Sequence, residues 1–158
     1  MLDSIAVRDG PPFAQKEPAV NTANGPLHQL IHILVVEDEP FIAQLLADEG
    51  YAVDLACNGR LALENIEKQA YDLILSDLRM PDLDGVGLYR ELERRQPHLL
   101  RRLIFITGTG EHPDYEYLLA QTHVPVLAKP FSLPALHALT RQVLSTNRML
   151  GSDDANAR

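Results

Sequence analysis

The chain has one cysteine, Cys57, so no intrachain disulfide can form and the sequence predicts a reducing compartment. Nowhere is there an apolar run long enough to cross a bilayer. The opening residues, with Asp3, Arg8 and Asp9, also lack the continuous apolar core of a secretory leader. Basic residues are in deficit: Lys+Arg 14 against Asp+Glu 22 leaves a formal net charge of −8, a field that repels nucleic acid and anionic lipid. The one basic concentration, from Arg90 to Arg102, is interleaved with Glu91 and Glu93 and has the pattern of a solvated helix end. No internal repeat is visible. Together these absences predict a soluble cytoplasmic protein that engages neither nucleic acid nor membrane.

What is present suffices for one domain with a full core, since 46% of 158 residues are hydrophobic. Residues 1–29 hold Pro11, Pro12, Pro18, Pro26, Gly10 and Gly25 without a sustained period and are expected to form a disordered tail. Order is expected from residue 30 to 148, followed by a polar, disordered tail over 149–158. Short, mostly apolar runs of the kind found in strands buried on both faces begin at Ile31, Tyr51, Leu73 and Leu103, and a fifth covers Val124 to Ala128. Between them the period becomes helical: Ile42, Leu45 and Leu46; Ala62, Leu63 and Ile66; Leu88, Tyr89 and Leu92; Leu136, Leu139 and Val143. Pro40 can open the first helix, Ser132 can cap the last one ahead of Pro134, and a weaker helix is predicted from Pro113 to Gln121. Five strands alternating with five helices predict an α/β fold, a doubly wound parallel sheet with right-handed crossovers.

In such a sheet ligands bind beyond the carboxyl ends of the strands. The first strand runs out into Glu37-Asp38-Glu39, the third into Ser76-Asp77, the fourth into Thr107-Gly108 and the fifth into Lys129-Pro130. Each residue has an ordinary structural explanation by itself: Glu37 or Asp38 as a helix cap, Asp77 as a turn residue, Thr107 as a strand end, Lys129 as a surface cation. Their shared location argues for a site. Glu37, Asp38 and Asp77 brought together would repel unless a cation shared the site, and a hard ion that prefers oxygen ligands, Mg²⁺, resolves the conflict. An Asp nucleophile, a metal, a Lys and a Thr hydroxyl are together what phosphoryl transfer requires.

The motifs Ile-Leu-Val-Val-Glu-Asp-Glu-Pro at 33–40, Ser-Asp-Leu-Arg-Met-Pro-Asp-Leu-Asp-Gly at 76–85, Ile-Thr-Gly at 106–108 and Lys-Pro-Phe at 129–131 resemble the receiver domains of bacterial response regulators, over roughly residues 31–147. The stretch from Val124 to Leu133 resembles receivers attached to hybrid histidine kinases. The resemblance implies a flavodoxin-like (βα)5 fold with strand order 2-1-3-4-5. It implies Asp77 as phosphoacceptor in a two-component phosphorelay. Glu37, Asp38, Asp77 and the backbone carbonyl of Arg79 would hold Mg²⁺, while Thr107, Lys129 and the Gly108 backbone would contact the phosphoryl group. A cis peptide is implied between Lys129 and Pro130. The donor would be a phosphohistidine on a histidine kinase or histidine phosphotransfer protein, and the chain would be no enzyme beyond its own phosphorylation and autodephosphorylation.

Two features depart from the family pattern, and a third position bears on its chemistry. Val126, three positions before Lys129, stands where many receivers carry an aromatic residue, which moves that role elsewhere, with Tyr115 and Tyr117 as candidates. The first helix is expected to be about four residues short, roughly one turn, and Arg79 occupies a position that tunes dephosphorylation in the family. Only polar residues follow the last helix, so output is expected through binding to a downstream protein. A homodimer through the fourth helix, fifth strand and fifth helix is one form such binding can take. Two other readings compete. A Mg²⁺-dependent phosphohydrolase resembling the haloacid dehalogenases would need Asp-x-Asp after its first strand, whereas Asp77-Leu78-Arg79 follows the third. An inactive interaction module would not need the acidic set at all.

Overall fold

The computed structural model describes residues 30–156 except Pro81 and residues 109–112; the expected N-terminal tail lies outside the described residues. Five strands, β1 (His32–Val36), β2 (Ala52–Ala56), β3 (Leu73–Asp77), β4 (Leu103–Thr107) and β5 (Val126–Ala128), form one parallel sheet in the order β2-β1-β3-β4-β5. The helices are α1 (Phe41–Asp48), α2 (Gly59–Lys68), α3 (Gly85–Arg95), α4 (Pro113–Gln121) and α5 (Leu133–Asn156), with a 3-10 helix at Pro97–Arg102 before β4. The strand order and the alternation of elements are those of the flavodoxin-like receiver fold expected from the sequence.

Side chains along a strand point alternately to opposite faces. On β1, Ile33 and Val35 therefore join α1 and α5 in one core, with Ile42, Leu46, Leu136 and Val143. Leu34 and Val36 join α2, α3 and α4 in the other, with Ile66, Leu88, Leu92, Phe105 and Leu118. The central strands β3 and β4 are buried at every position, which is why they are continuous apolar runs up to their last polar residues. Each fully buried Leu, Ile or Phe contributes about 1.5–3 kcal/mol relative to its exposed state, so these two layers fix the sheet as a rigid base. On β2, the buried Asp54 is accommodated by the Tyr71 hydroxyl, which donates to it at 2.6 Å.

The expected helical stripes face the two cores, with Leu45, Leu63, Tyr89 and Leu139 half-buried at the margins. Asn58 caps α2 by accepting from the Leu61 amide, Asp84 caps α3 from Gly87, and Ser132 caps α5 from Ala135. Helix α1 is eight residues long and its N-cap is Pro40, with no side-chain cap, so neither Glu37 nor Asp38 is occupied there. It ends at a left-handed Gly50, φ 104°, a conformation that costs glycine nothing.

Two boundaries differ from expectation. Strand β5 starts at Val126 rather than Val124, because Pro125 has no N–H for a ladder bond and only its carbonyl is used, by the Phe105 amide at 2.9 Å. Helix α5 continues past residue 148 to Asn156; extending a formed helix adds one hydrogen bond per residue and needs no buried face. No helix among the described residues is long and apolar enough to cross a membrane.

Candidate functional site

Because every strand runs the same way, the carboxyl ends of β1, β3, β4 and β5 share one edge of the sheet. Glu37 leaves β1, Asp77 ends β3, Thr107 ends β4 and Lys129 leaves β5. The register holds them level: Val36 is opposite Ser76, Asp77 opposite Ile106 and Thr107 opposite Ala128. A backbone bond from the Lys129 N–H to the Thr107 carbonyl, 2.7 Å, ties the last two together. The Lys129-Pro130 peptide is cis, as the family resemblance implied.

The Lys129 ammonium is the hub. It donates to Glu37 Oε2 at 3.0 Å and lies 3.5 Å from Asp77 Oδ2. Both acids are nearly closed off from solvent, Glu37 at 3% and Asp77 at 9% exposure, and Thr107 is at 8%. Burial pushes the Glu37 carboxyl above the usual carboxylate range, although the bond and charge of Lys129 pull the other way. Burial pulls Lys129 down, but its hydrogen bond to Glu37 and the charges of Glu37 and Asp77 outweigh this and hold the ammonium above the ordinary lysine value. Lys129 is therefore a fixed positive charge between two acids at neutral pH.

Asp77 Oδ1 accepts from the Arg79 N–H at 3.2 Å, and the Ser76 hydroxyl donates to the Asp77 carbonyl at 3.0 Å. The helix that follows comes as close as glycine permits: a Cβ on Gly85 would sit 2.6 Å from the Asp77 carbonyl oxygen. Above Lys129 opens a cleft of about 570 Å³ whose walls include Glu37, Phe41, Gly108, Pro130 and Phe131.

Glu37, Asp77, Thr107 and Lys129 are thus assembled. Asp38 and Arg79 are exposed beside them, and no group of three His, Cys, Asp or Glu close enough to hold a metal ion occurs among the described residues. Of the three carboxylates expected at this edge, Glu37 and Asp77 lie against Lys129, and Asp38 is exposed next to Glu37. The donor set nevertheless fits a hard divalent cation, since Glu37 Oε1 is buried with no hydrogen-bond partner, a lone pair that an ion can use.

Asp84 and Asn58, which the sequence did not single out as site residues, also belong to this edge. Asp84 caps α3 with Oδ1 and accepts with Oδ2 from the Tyr115 hydroxyl, 3.2 Å, on α4. Of the two aromatic candidates, Tyr115 is therefore joined to the site's surroundings, while Tyr117 is 65% exposed, and Val126 is 39% exposed on β5. Asn58, the α2 cap, reaches Asp82 on the loop after β3. An Asx-Gly pair ahead of an apolar helical stripe, Asn58-Gly59 and Asp84-Gly85, is the signal that could have located both caps.

A sequence model of the response regulator receiver domain matches residues 33–141. The transcriptional regulatory protein GlrR of Escherichia coli (strain K12) is 34% identical over 114 residues, 70% of this chain and 25% of GlrR. The aerobic respiration control sensor protein ArcB of the same strain is 36% identical over 121 residues, 73% of this chain and 15% of ArcB. The chain thus spans a quarter or less of these two relatives. The receiver domain of the sensor histidine kinase PA1611 from Pseudomonas aeruginosa PAO1, solved with a magnesium ion coordinated in its active site cleft, is similar at TM-score 0.66 and 32% identity, covering 74% of this chain and 99% of that one.

Proposed function

Since the chain belongs to the family of response regulator receiver domains, we propose that it is the phosphoacceptor of a two-component phosphorelay, with Asp77 as the acceptor. A carboxylate oxygen of Asp77 attacks the phosphorus of a phosphohistidine on a histidine kinase or histidine phosphotransfer protein. The N–P bond breaks, and its electron pair leaves with the imidazole. Little covalent chemistry is asked of the protein beyond in-line positioning and neutralised oxygens. Lys129 neutralises an oxygen of the transferred group, and the Thr107 hydroxyl and Gly108 backbone N–H donate to the others. Glu37, Asp38, Asp77 and the Arg79 carbonyl are the groups that would hold Mg²⁺. When bound, the ion supplies the positive charge that lets a phosphoryl group approach these acids.

The observation that carries this reading is the Lys129 ammonium held between Glu37 and Asp77 at the carboxyl edge. A structural ion pair alone would have no need of an open cleft over it or of a buried carboxylate oxygen left without a partner. Output then proceeds through protein binding, a homodimer across α4, β5 and α5 included, as phosphorylation biases the conformations of the surface around β4 and β5.

The test is intact mass after incubation with Mg²⁺ and acetyl phosphate, beside Asp77→Asn. The expected result is a gain of one phosphoryl group that requires both the ion and Asp77. A folded protein that gains nothing under conditions sensitive to a short-lived adduct would leave a phosphorylation-independent binding module in its place.

A further inference from the structure

The loop between β3 and α3 carries Arg79 and holds one side-chain-bearing residue in the left-handed region, Asp82 at φ 64°. That conformation is uncommon for residues with a side chain, Asp being among the few that tolerate it, and contacts from outside the loop add to its hold. Here they come from the first turn of α2. Asn58, 7% exposed, accepts from the Leu61 N–H with Oδ1 at 2.9 Å and donates from Nδ2 to Asp82 Oδ2 at 3.2 Å. Gly59 donates its N–H to the Leu83 carbonyl at 2.8 Å, and a Cβ on Gly59 would stand 2.5 Å from that oxygen. Arg60 reaches the same Asp82 oxygen at 3.2 Å, but with side-chain exposures of 61% and 54% that pair is screened by solvent. The buried amide of Asn58 therefore dominates the contact at the loop's crest, while the Gly85 N–H to Leu78 carbonyl bond, 3.0 Å, closes its root.

We propose that Asn58 is a positioning residue for the metal: it pins Asp82 and so holds the Arg79-bearing loop in the conformation that binds Mg²⁺. This rests on the function proposed above. An amide suits the task because it has both a donor and an acceptor. One end serves α2 and the other serves the loop, so the helix start and the metal loop are set by a single side chain.

The decisive variants preserve the cap. N58D keeps an oxygen for the Leu61 N–H, since Asp and Asn cap helices equally well, but turns a carboxylate oxygen toward Asp82. The pair N58D/D82N reverses donor and acceptor across the same contact. Two readouts separate pin from purpose: hydrogen exchange of the amides in 78–84 without Mg²⁺, and Mg²⁺ affinity by calorimetry. N58D should speed exchange in that loop and weaken Mg²⁺ binding by about tenfold, the equivalent of one hydrogen bond to a charged group; N58D/D82N should recover most of both. Unchanged exchange in N58D overturns the pin. Faster exchange with unchanged affinity, or a double variant that recovers nothing, overturns the positioning role. Wild-type protein that binds no Mg²⁺ overturns both the metal in the proposed function and the role assigned to the pin, whereas Mg²⁺ binding without phosphoryl gain counts against phosphotransfer alone.

Discussion

Glu37 and Asp38 are adjacent in the chain, yet Glu37 is 3% exposed and bonded to Lys129, while Asp38 lies in water. The same division runs through the whole site. Glu37, Asp77, Thr107 and Lys129 stand at or one step beyond strand ends and are positioned by the sheet; Asp38 and Arg79 stand on connecting segments and are exposed. The strand-held half is organised in advance, with one ammonium, Lys129, set against two carboxylates, Glu37 and Asp77. The loop-held half carries its charges, Asp38 and Arg79, in solvent. The contrast teaches that the sheet alone can assemble Glu37, Asp77 and Lys129, whereas Asp38 and Arg79 are left at the surface by the connecting segments.

The strongest way to break the comparison is to remove the hub. Lys129→Met should slow phosphorylation from acetyl phosphate roughly 10²–10³-fold, the usual cost of deleting one preorganised charge donor, as read from the time course of intact mass. Its Mg²⁺ affinity should not fall, because the acids lose their competing cation. Next in size is the ion itself: at 100 times its Kd, Mg²⁺ should stabilise the protein by about 2.7 kcal/mol, visible as a rise of several degrees in Tm that chelation reverses. Asp38→Asn should weaken Mg²⁺ binding on the order of 10–100-fold while moving the Mg²⁺-free stability by no more than about 0.5 kcal/mol. An equal loss of metal-free stability would show that Asp38 belongs to the strand-held half. The smallest effect is expected of Tyr115→Phe, which deletes one hydroxyl bond to Asp84 and should cost about 1 kcal/mol in chemical unfolding with Mg²⁺ affinity unchanged.

The strand-held half was also the legible half. Ile33 to Val36 and Leu103 to Ile106 are apolar on both faces because helices cover both faces, and such a run ending in Glu37 or Thr107 announces a strand meeting a solvent edge. Helix α4 spans Pro113–Gln121 as its weak period predicted. What could not be read were relations between segments. The contact between Asn58 and Asp82 spans 24 positions and that between Tyr115 and Asp84 spans 31, and neither pair has a periodicity to reveal it. The exposure of Asp38, one residue past the buried Glu37, likewise leaves no mark in the pattern. The start of β5 was misplaced because an apolar Val124 counts equally well as core beneath a strand or as the strand itself.

Lys129 and Glu37 are 92 positions apart, and in the sheet two whole strands, β3 and β4, lie between the strands that carry them. Contacts this distant in sequence bear a large loop-closure cost and form only when the intervening structure is in place. The ion pair is thus a checksum on the domain: a chain with β3 or β4 misregistered has no assembled Glu37, Asp77 and Lys129 cluster. With Asp77 as the acceptor proposed above, a half-made or damaged copy would be silent toward a phosphodonor instead of transmitting a false message.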